Sequence, residues 1–462
     1  MTHTLFAPDA LLPTGWARHV RLQWNAAGVL TAVTPDSPPQ PDAPCLQAAG
    51  PVLPGLPNLH SHAFQRAMAG LTEFRGAAQD SFWSWRTLMY RFAARLGPEQ
   101  VQAIATWLYI EMLEAGYTSV CEFHYLHHAP DGQPYADDAE LSQALLRAAQ
   151  VAGMPITLLP VLYQSSGFGG TPPTPGQQRF IRSTDNMLRL LQDLLPLCQA
   201  QGARLGLAPH SLRAVPPDSL RDALAGLHAL DATAPVHIHV AEQTAEVDAC
   251  LAWSGQRPVE WLLNHAPVDA RWCLVHATHM DDGEYRRAAA SGAVAGICPS
   301  TEANLGDGLF DMPRWLASGG AWGLGSDSHI CVNAAEELLL LEYGQRLQRR
   351  QRNVLASDRQ AQVATAMLLQ AVAGGAQASG RATGGLAVGQ RADFCVLDRH
   401  HLALAGLTAP EMLSAHVFAS HRTSALDAVW VAGEPRVQRG RHPLRDEAAR
   451  AFLQARQQLT QG

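Results

Sequence analysis

At 462 residues the chain is too long for one small domain, and it can hold a (β/α)8 barrel of about 250 residues plus a second unit. It is 47% hydrophobic and 16% charged, which excludes a disordered chain, and its net charge of −7 argues against nucleic-acid and acidic-membrane partners. All 34 basic residues are arginine, which excludes a lysine Schiff base, a P-loop lysine and a metal centre bridged by a modified lysine.

In chain order, residues 1–50 carry two short strand patterns, Val20–Gln23 and Val29–Val33, and a proline-rich stretch, Pro35–Pro44. The first sixteen residues lack a basic region followed by an apolar run, so no secretory signal is expected. No stretch reaches the ~18 apolar residues of a membrane span. Residues 51–378 alternate short apolar runs with amphipathic stretches. The predicted strands are Pro51–Pro57, Thr118–Phe123, Ile156–Leu162, Arg204–Ala208, Val236–Val240, Trp272–His276, Ala293–Ile297 and Ala321–Ser326. Predicted helices include Ala103–Ala115, Asp138–Val151, Leu188–Gln199, Ser219–Leu230, Asp281–Ala290 and Ala335–Leu347. Eight strands alternating with helices predict an α/β chain with a closed (β/α)8 TIM barrel. Residues 379–462 return to strand patterns, Asp393–Leu397 and Ala428–Val431, with turns at Gly384, Gly385 and Gly389. Neither end can close a core alone, so both are expected to form one small β-sandwich domain. The eight cysteines are scattered without a C-x-x-C and read as reduced and buried, which makes the cytoplasm the expected compartment.

The chemistry gathers where strands end. The first barrel strand closes on His60-Ser61-His62, and residues two apart in a strand point the same way. The fifth ends His237-Ile238-His239-Val240-Ala241-Glu242, the sixth at His276, and the eighth at Asp327. In a barrel these ends converge on the C-terminal face. His60, His62, His239 and Asp327 can bind a zinc-like divalent ion, which lowers the pKa of a bound water from ~15.7 towards ~7. Glu242 is placed to shuttle protons, His276 to hold or polarise the water, and Asp327 both to bind metal and to accept a proton. His237 and His329 are expected outside the metal shell. Regular alternation would place His237 on the same face as His239, so that exclusion requires a bend in the strand.

These residues resemble the amidohydrolase superfamily, and the His239-x-x-Glu242 spacing resembles its mononuclear deaminase branch. Gly385-Leu386-Ala387-Val388-Gly389-Gln390-Arg391-Ala392-Asp393-Phe394 resembles the β-domain signature of such enzymes, and the run Cys298–Gly308 resembles the loop after their seventh strand. Longer runs are similar to the formimidoylglutamate deiminases: Pro57–Gly70, Phe82-Trp83-Ser84-Trp85-Arg86, Glu122–His128 and Pro209–Val215. That resemblance implies hydrolysis of N-formimidoyl-L-glutamate to N-formyl-L-glutamate and ammonia, one divalent ion per subunit with zinc preferred, and a homodimer. The substrate carries two carboxylates and a cationic formamidine, so local arginines must hold it. Arg213 can pair bidentately with a carboxylate, and His210 can add a bond. The resemblance also assigns Gln65, Arg86 and Tyr125 to the substrate. Read without it, Arg86 can equally serve a cation–π or ion-pair contact, Tyr125 can cover the barrel mouth, Gln65 can brace its loop, and Arg213 can pair with a neighbouring carboxylate. His124, His127 and His128 read as supporting or surface residues rather than a second metal site. Two alternatives stay open: a deaminase of neutral purines or pyrimidines with the same metal residues, and a non-catalytic metal-binding protein.

Overall fold

The computed structural model describes residues 2–38, 45–74, 82–420 and 424–461, with the side chains of 82–84 excluded. Part of the proline-rich stretch, residues 39–44, lies outside the described residues. The barrel strands are β1 (Leu56–Ser61), β2 (Tyr117–His124), β3 (Ile156–Leu162), β4 in two pieces (Arg204–Leu205 and Ala208–Pro209), β5 (Val236–Val240), β6 (Trp272–His276), β7 (Val294–Ile297) and β8 (Ala321–Leu324). Every neighbouring pair is parallel, β8 returns to β1 through Leu324 and Asn58, and bridges from Leu207 to Val236 and Ser211 to His239 join β4 to β5. The result is a closed (β/α)8 barrel. The eight strands are buried throughout except for the first residues of β4 and β8, as expected when helices cover a parallel sheet.

Helix starts follow local chemistry. Ser183 caps Thr184–Ala200 by accepting the Asn186 N–H at 3.2 Å. Asp281 and Glu284 form a reciprocal box at Asp282–Ala290, and Asn333 caps Ala334–Arg349.

Both chain ends build a second sheet. Its strands run Glu434–Gln438, Leu426–Val431, Phe394–Leu397, Val52–Pro54, His3–Leu12, Gly15–Trp24 and Leu30–Thr34 in spatial order, with Leu46–Gln47 on the side of His3–Leu12. Leu5, Val20, Leu22, Trp24, Phe394 and Val396 pack its core. The predicted strand Pro51–Pro57 is corrected here: it divides between the two sheets. Val52–Pro54 pairs with Phe394–Val396, whereas Leu56 begins the barrel. The break is at Gly55, whose N–H donates to the Asp393 carbonyl at 3.1 Å and where a Cβ would run into Thr118. Strand His3–Leu12 has no counterpart in the sequence reading, because Pro8 and Asp9 interrupt its pattern. The last helix, Arg445–Thr460, lies on the barrel helix Pro98–Glu114, where Arg95 also reaches the Leu459 carbonyl at 3.0 Å.

Helix Val363–Ser379 locks the first and last barrel strands together. Gly374 sits against the Trp322 backbone and Gly375 against Pro57, with no room for a Cβ at Gly374. Gly374→Ala is therefore expected to cost about 1–3 kcal/mol and to lower the thermal midpoint by several degrees, measured by calorimetry. No described helix is long and apolar enough to cross a membrane, and all eight cysteines are unpaired.

Candidate metal centre and substrate cleft

Three strand ends, those of β1, β5 and β8, deliver one compact group. His60 Nε2 lies 3.1 Å from His62 Nε2 and 3.0 Å from His239 Nε2. Asp327 Oδ1 is 3.4 Å from His60 Nε2 and 3.3 Å from His62 Nε2. The four donor atoms lie within 4.8 Å of one another, and all four residues are buried. The turns leaving the strands are sharp: φ is +52° at Ala241, +65° at His276 and +46° at Asp327. Such left-handed non-glycine residues persist only where the surroundings hold them.

The outward ring atoms explain why the nitrogens face inward. His62 Nδ1–H donates to the Phe123 carbonyl at 2.8 Å, and His239 Nδ1–H donates to the His210 carbonyl at 3.1 Å. Each bond leaves an Nε2 lone pair directed at the centre. Burial pushes His60 down to about 3 and also lowers His62 and His239, so all three rings are neutral near pH 7. Burial disfavours the Asp327 carboxylate, yet His60, His62 and His276 hold its pKa below the ordinary carboxylate range. His60 Nε2 lies within 3.0–3.1 Å of both other ring nitrogens, and together with the Asp327 carboxylate they form the kind of donor set a divalent cation takes. The group thus fits a divalent metal ion.

Around this centre lie two further ionisable groups, His276 and Glu242. His276 Nε2 is 3.8 Å from Glu242 Oε1 and 3.7 Å from Asp327 Oδ2. Burial opposes its charge, but Glu242, Glu302 and Asp327 raise it to about 10. Burial raises Glu242 to about 7, against the pull of His276 and Arg213. A cleft of about 570 Å³ opens onto these groups and is bordered by Gln65, Arg86, Tyr125, His210 and Arg213. Trp85, Tyr90, Tyr163 and Phe180 form its aromatic wall.

Residues 52–436 match the amidohydrolase family, and residues 2–44 match the domain described as formimidoylglutamate deiminase HutF, N-terminal domain. A formimidoylglutamate deiminase from Pseudomonas aeruginosa is 54% identical over 450 residues, covering 97% of this chain and 98% of its own. The chain belongs to the formimidoylglutamate deiminase family of amidohydrolases. A crystal structure of an amidohydrolase from Brucella melitensis superposes with a TM-score of 0.93 at 49% identity, covering 99% of each chain. More remote within the amidohydrolases is an 8-oxoguanine deaminase from Pseudomonas aeruginosa, 28% identical over 86% of this chain and 85% of its own.

In this deiminase-family chain, all the expected site residues reach one place, and several alternatives turn out to hold together. Arg86 borders the cleft and also lies over the Tyr90 ring at 5.7 Å. Gln65 Nε2 donates to the Tyr125 hydroxyl at 2.8 Å, so these two cleft residues brace each other. Arg213 borders the cleft while its Nε faces Glu246 Oε1 at 3.9 Å. Burial disfavours the Arg213 charge, but Glu246 and Glu242 raise its pKa above the ordinary value. His237 stays out of the centre: its Nε2 bonds the Ala378 carbonyl at 2.8 Å. His127 and His128 likewise bond the Val161 and Ile181 carbonyls at 2.9 and 2.8 Å. Part of the run Phe82–Arg86, the side chains of Phe82, Trp83 and Ser84, lies outside the described residues.

Buried acids are what the sequence reading missed. Glu302 Oε1 lies 3.2 Å from His276 Nδ1 and accepts the Cys298 N–H at 2.9 Å, which orients the imidazole. Glu246 accepts the Glu242 N–H at 3.0 Å. Glu122 accepts the Ala63 N–H at 2.7 Å and the Ser61 hydroxyl at 2.6 Å. The H-x-x-E-x-x-x-E spacing of His239, Glu242 and Glu246 was the one local signal available.

Proposed function

We propose that this chain hydrolyses N-formimidoyl-L-glutamate to N-formyl-L-glutamate and ammonia. The observation that carries the reading is the cleft itself: two arginines border a pocket that ends at the metal-fitting group and at Glu242. His60, His62, His239 and Asp327 would hold the ion, and three neutral imidazoles with one carboxylate favour zinc. When bound, the ion supplies Lewis acidity and a water of lowered pKa.

The chain's own groups do the rest. Arg213 and Arg86 supply positive charge for two substrate carboxylates, with His210, Gln65 and Tyr125 adding hydrogen bonds. Asp327 takes a proton from the attacking water, whose oxygen bonds to the formimidoyl carbon. His276, oriented by Glu302, donates a hydrogen bond from Nε2 to that oxygen. Glu242 gives a proton to the terminal nitrogen, the carbon–nitrogen bond breaks as the added oxygen forms the formyl C=O and passes its remaining proton back to Glu242, and ammonia leaves. The arginines hold the chain in line, which gains rate by orientation. The same proposal divides the chain at 1–50, 51–378 and 379–462, with Val52–Pro54 paired into the second sheet, and takes it as a cytoplasmic homodimer, whose dimeric state sedimentation of the purified protein tests.

Ammonia release from N-formimidoyl-L-glutamate is the direct test. Zinc-loaded protein is expected to turn over, to stop on chelation and to recover when zinc is restored. A neutral purine and a neutral pyrimidine serve as comparison substrates. Turnover of a neutral base without turnover of the dicarboxylate would overturn the substrate assignment and keep the metal chemistry.

A further inference from the structure

The loop after β8 carries a histidine that borders no part of the cleft. His329 is fully buried, and its φ is +59°. Its Nε2 accepts the His62 N–H at 3.2 Å and touches Ser61 Oγ at 3.1 Å. The His62 N–H is shared with the Asp327 carbonyl at 3.3 Å, and the Asp327 N–H donates to the His60 carbonyl at 3.0 Å. The other ring nitrogen, Nδ1, lies 3.0 Å from Ser326 Oγ. One imidazole therefore spans the two segments that supply His60, His62 and Asp327.

Both sides of this bridge are anchored in turn. Arg66 Nη1 donates to the His329 carbonyl at 2.9 Å, and its remaining nitrogens grip Glu111 of helix Pro98–Glu114 at 2.7 and 2.8 Å. Ser61 donates to Glu122, which also accepts the Tyr109 hydroxyl at 3.1 Å. On the far side, Asn58 Nδ2 donates to Ser326 Oγ at 2.6 Å, and Asn58 Oδ1 accepts the backbone N–H groups of Ser326 and His60 at 3.1 and 3.3 Å. Each polar group in this belt is spent on the spacing between the ends of β1 and β8.

We propose that His329 is a positioning residue that holds the His60–His62 and Asp327 segments at ligand spacing, and so sets metal affinity without touching metal or substrate. The proposal rests on the four-residue metal group described above. A ligand held by such outer partners typically loses 10–100-fold in metal affinity when they are removed.

Two variants separate positioning from folding. In His329→Asn the side chain retains an atom near Nδ1, tolerates the left-handed backbone and loses the reach to Ser61 and His62. In His329→Gln an atom is retained near Nε2. Zinc affinity is measured by competition with a chromophoric chelator, and the thermal midpoint is measured with and without zinc. His329→Asn is expected to weaken zinc roughly 10–100-fold, to melt like wild type when metal-free, and to lose most of the zinc-induced rise. His329→Gln is expected to recover much of that affinity. Unchanged zinc affinity in His329→Asn would overturn the proposal, as would a metal-free midpoint that falls in parallel with affinity and no recovery in His329→Gln. If wild-type protein itself fails to bind zinc, the metal reading fails instead, and the two failures are told apart.

Discussion

Glu242→Gln is expected to fold, to bind metal as the parent does and to lose turnover by about 10²–10⁴-fold, the usual span for a removed general acid–base group. The substitution is nearly isosteric, and the backbone it stands on is held independently, since Glu246 accepts the Glu242 N–H at 3.0 Å. What disappears is a proton. Burial raises the Glu242 carboxyl to about 7, so it is largely protonated below neutrality, when an ordinary carboxyl is not. A step that needs its acid form is active below about 7 and fades as pH rises through that value. The kcat/KM profile of the parent is therefore expected to descend near neutrality, and Glu242→Gln is expected to lack that limb. Metal content by emission spectrometry and kcat by ammonia release check both halves. Near-normal turnover would remove Glu242 from the reaction.

Arg213→Met has the second large effect, and it acts twice. Loss of a charge-assisted pair with a substrate carboxylate costs roughly 1.5–3 kcal/mol, which is about a 10- to 100-fold rise in KM. It also strips a cation from Glu246, which is buried, and from Glu242, whose pKa Arg213 holds down. Glu242 then needs a higher pH to ionise, so the descending limb is expected to move to higher pH. Steady-state kinetics across pH read both. A stability loss with KM unchanged would leave Arg213 as a counter-ion of Glu246 alone.

Much of the site was legible because a barrel repeats one rule. Polar residues that stop an apolar run lie on the catalytic face, and His60, His62, His239, His276 and Asp327 all do so. The boundary errors have local causes. Gly55 sends one apolar run into two sheets, and Pro8 hides a strand that is made by hairpin pairing with Gly15–Trp24. Glu122, Glu246 and Glu302 stayed hidden because a buried acid looks like a surface acid until its donors are known. For Glu122 and Glu302 the telling partners come from other segments, Ala63 and His276, whereas Cys298 and Glu242 stand only four residues from Glu302 and Glu246.

By itself the sequence determined the barrel, the ligand types and the absence of any lysine chemistry, since period and composition are properties of the chain alone. Only the tertiary structure decided which histidines face the candidate metal centre. His237 and His239 stand two apart on one strand, yet the first is drawn to the Ala378 carbonyl and the second to that of His210. Ring direction and proton position are set by partners on a neighbouring strand or, for His237, 141 residues away, and burial then sets the charge. No local pattern carries that information, because it arises only when the strands close on one another.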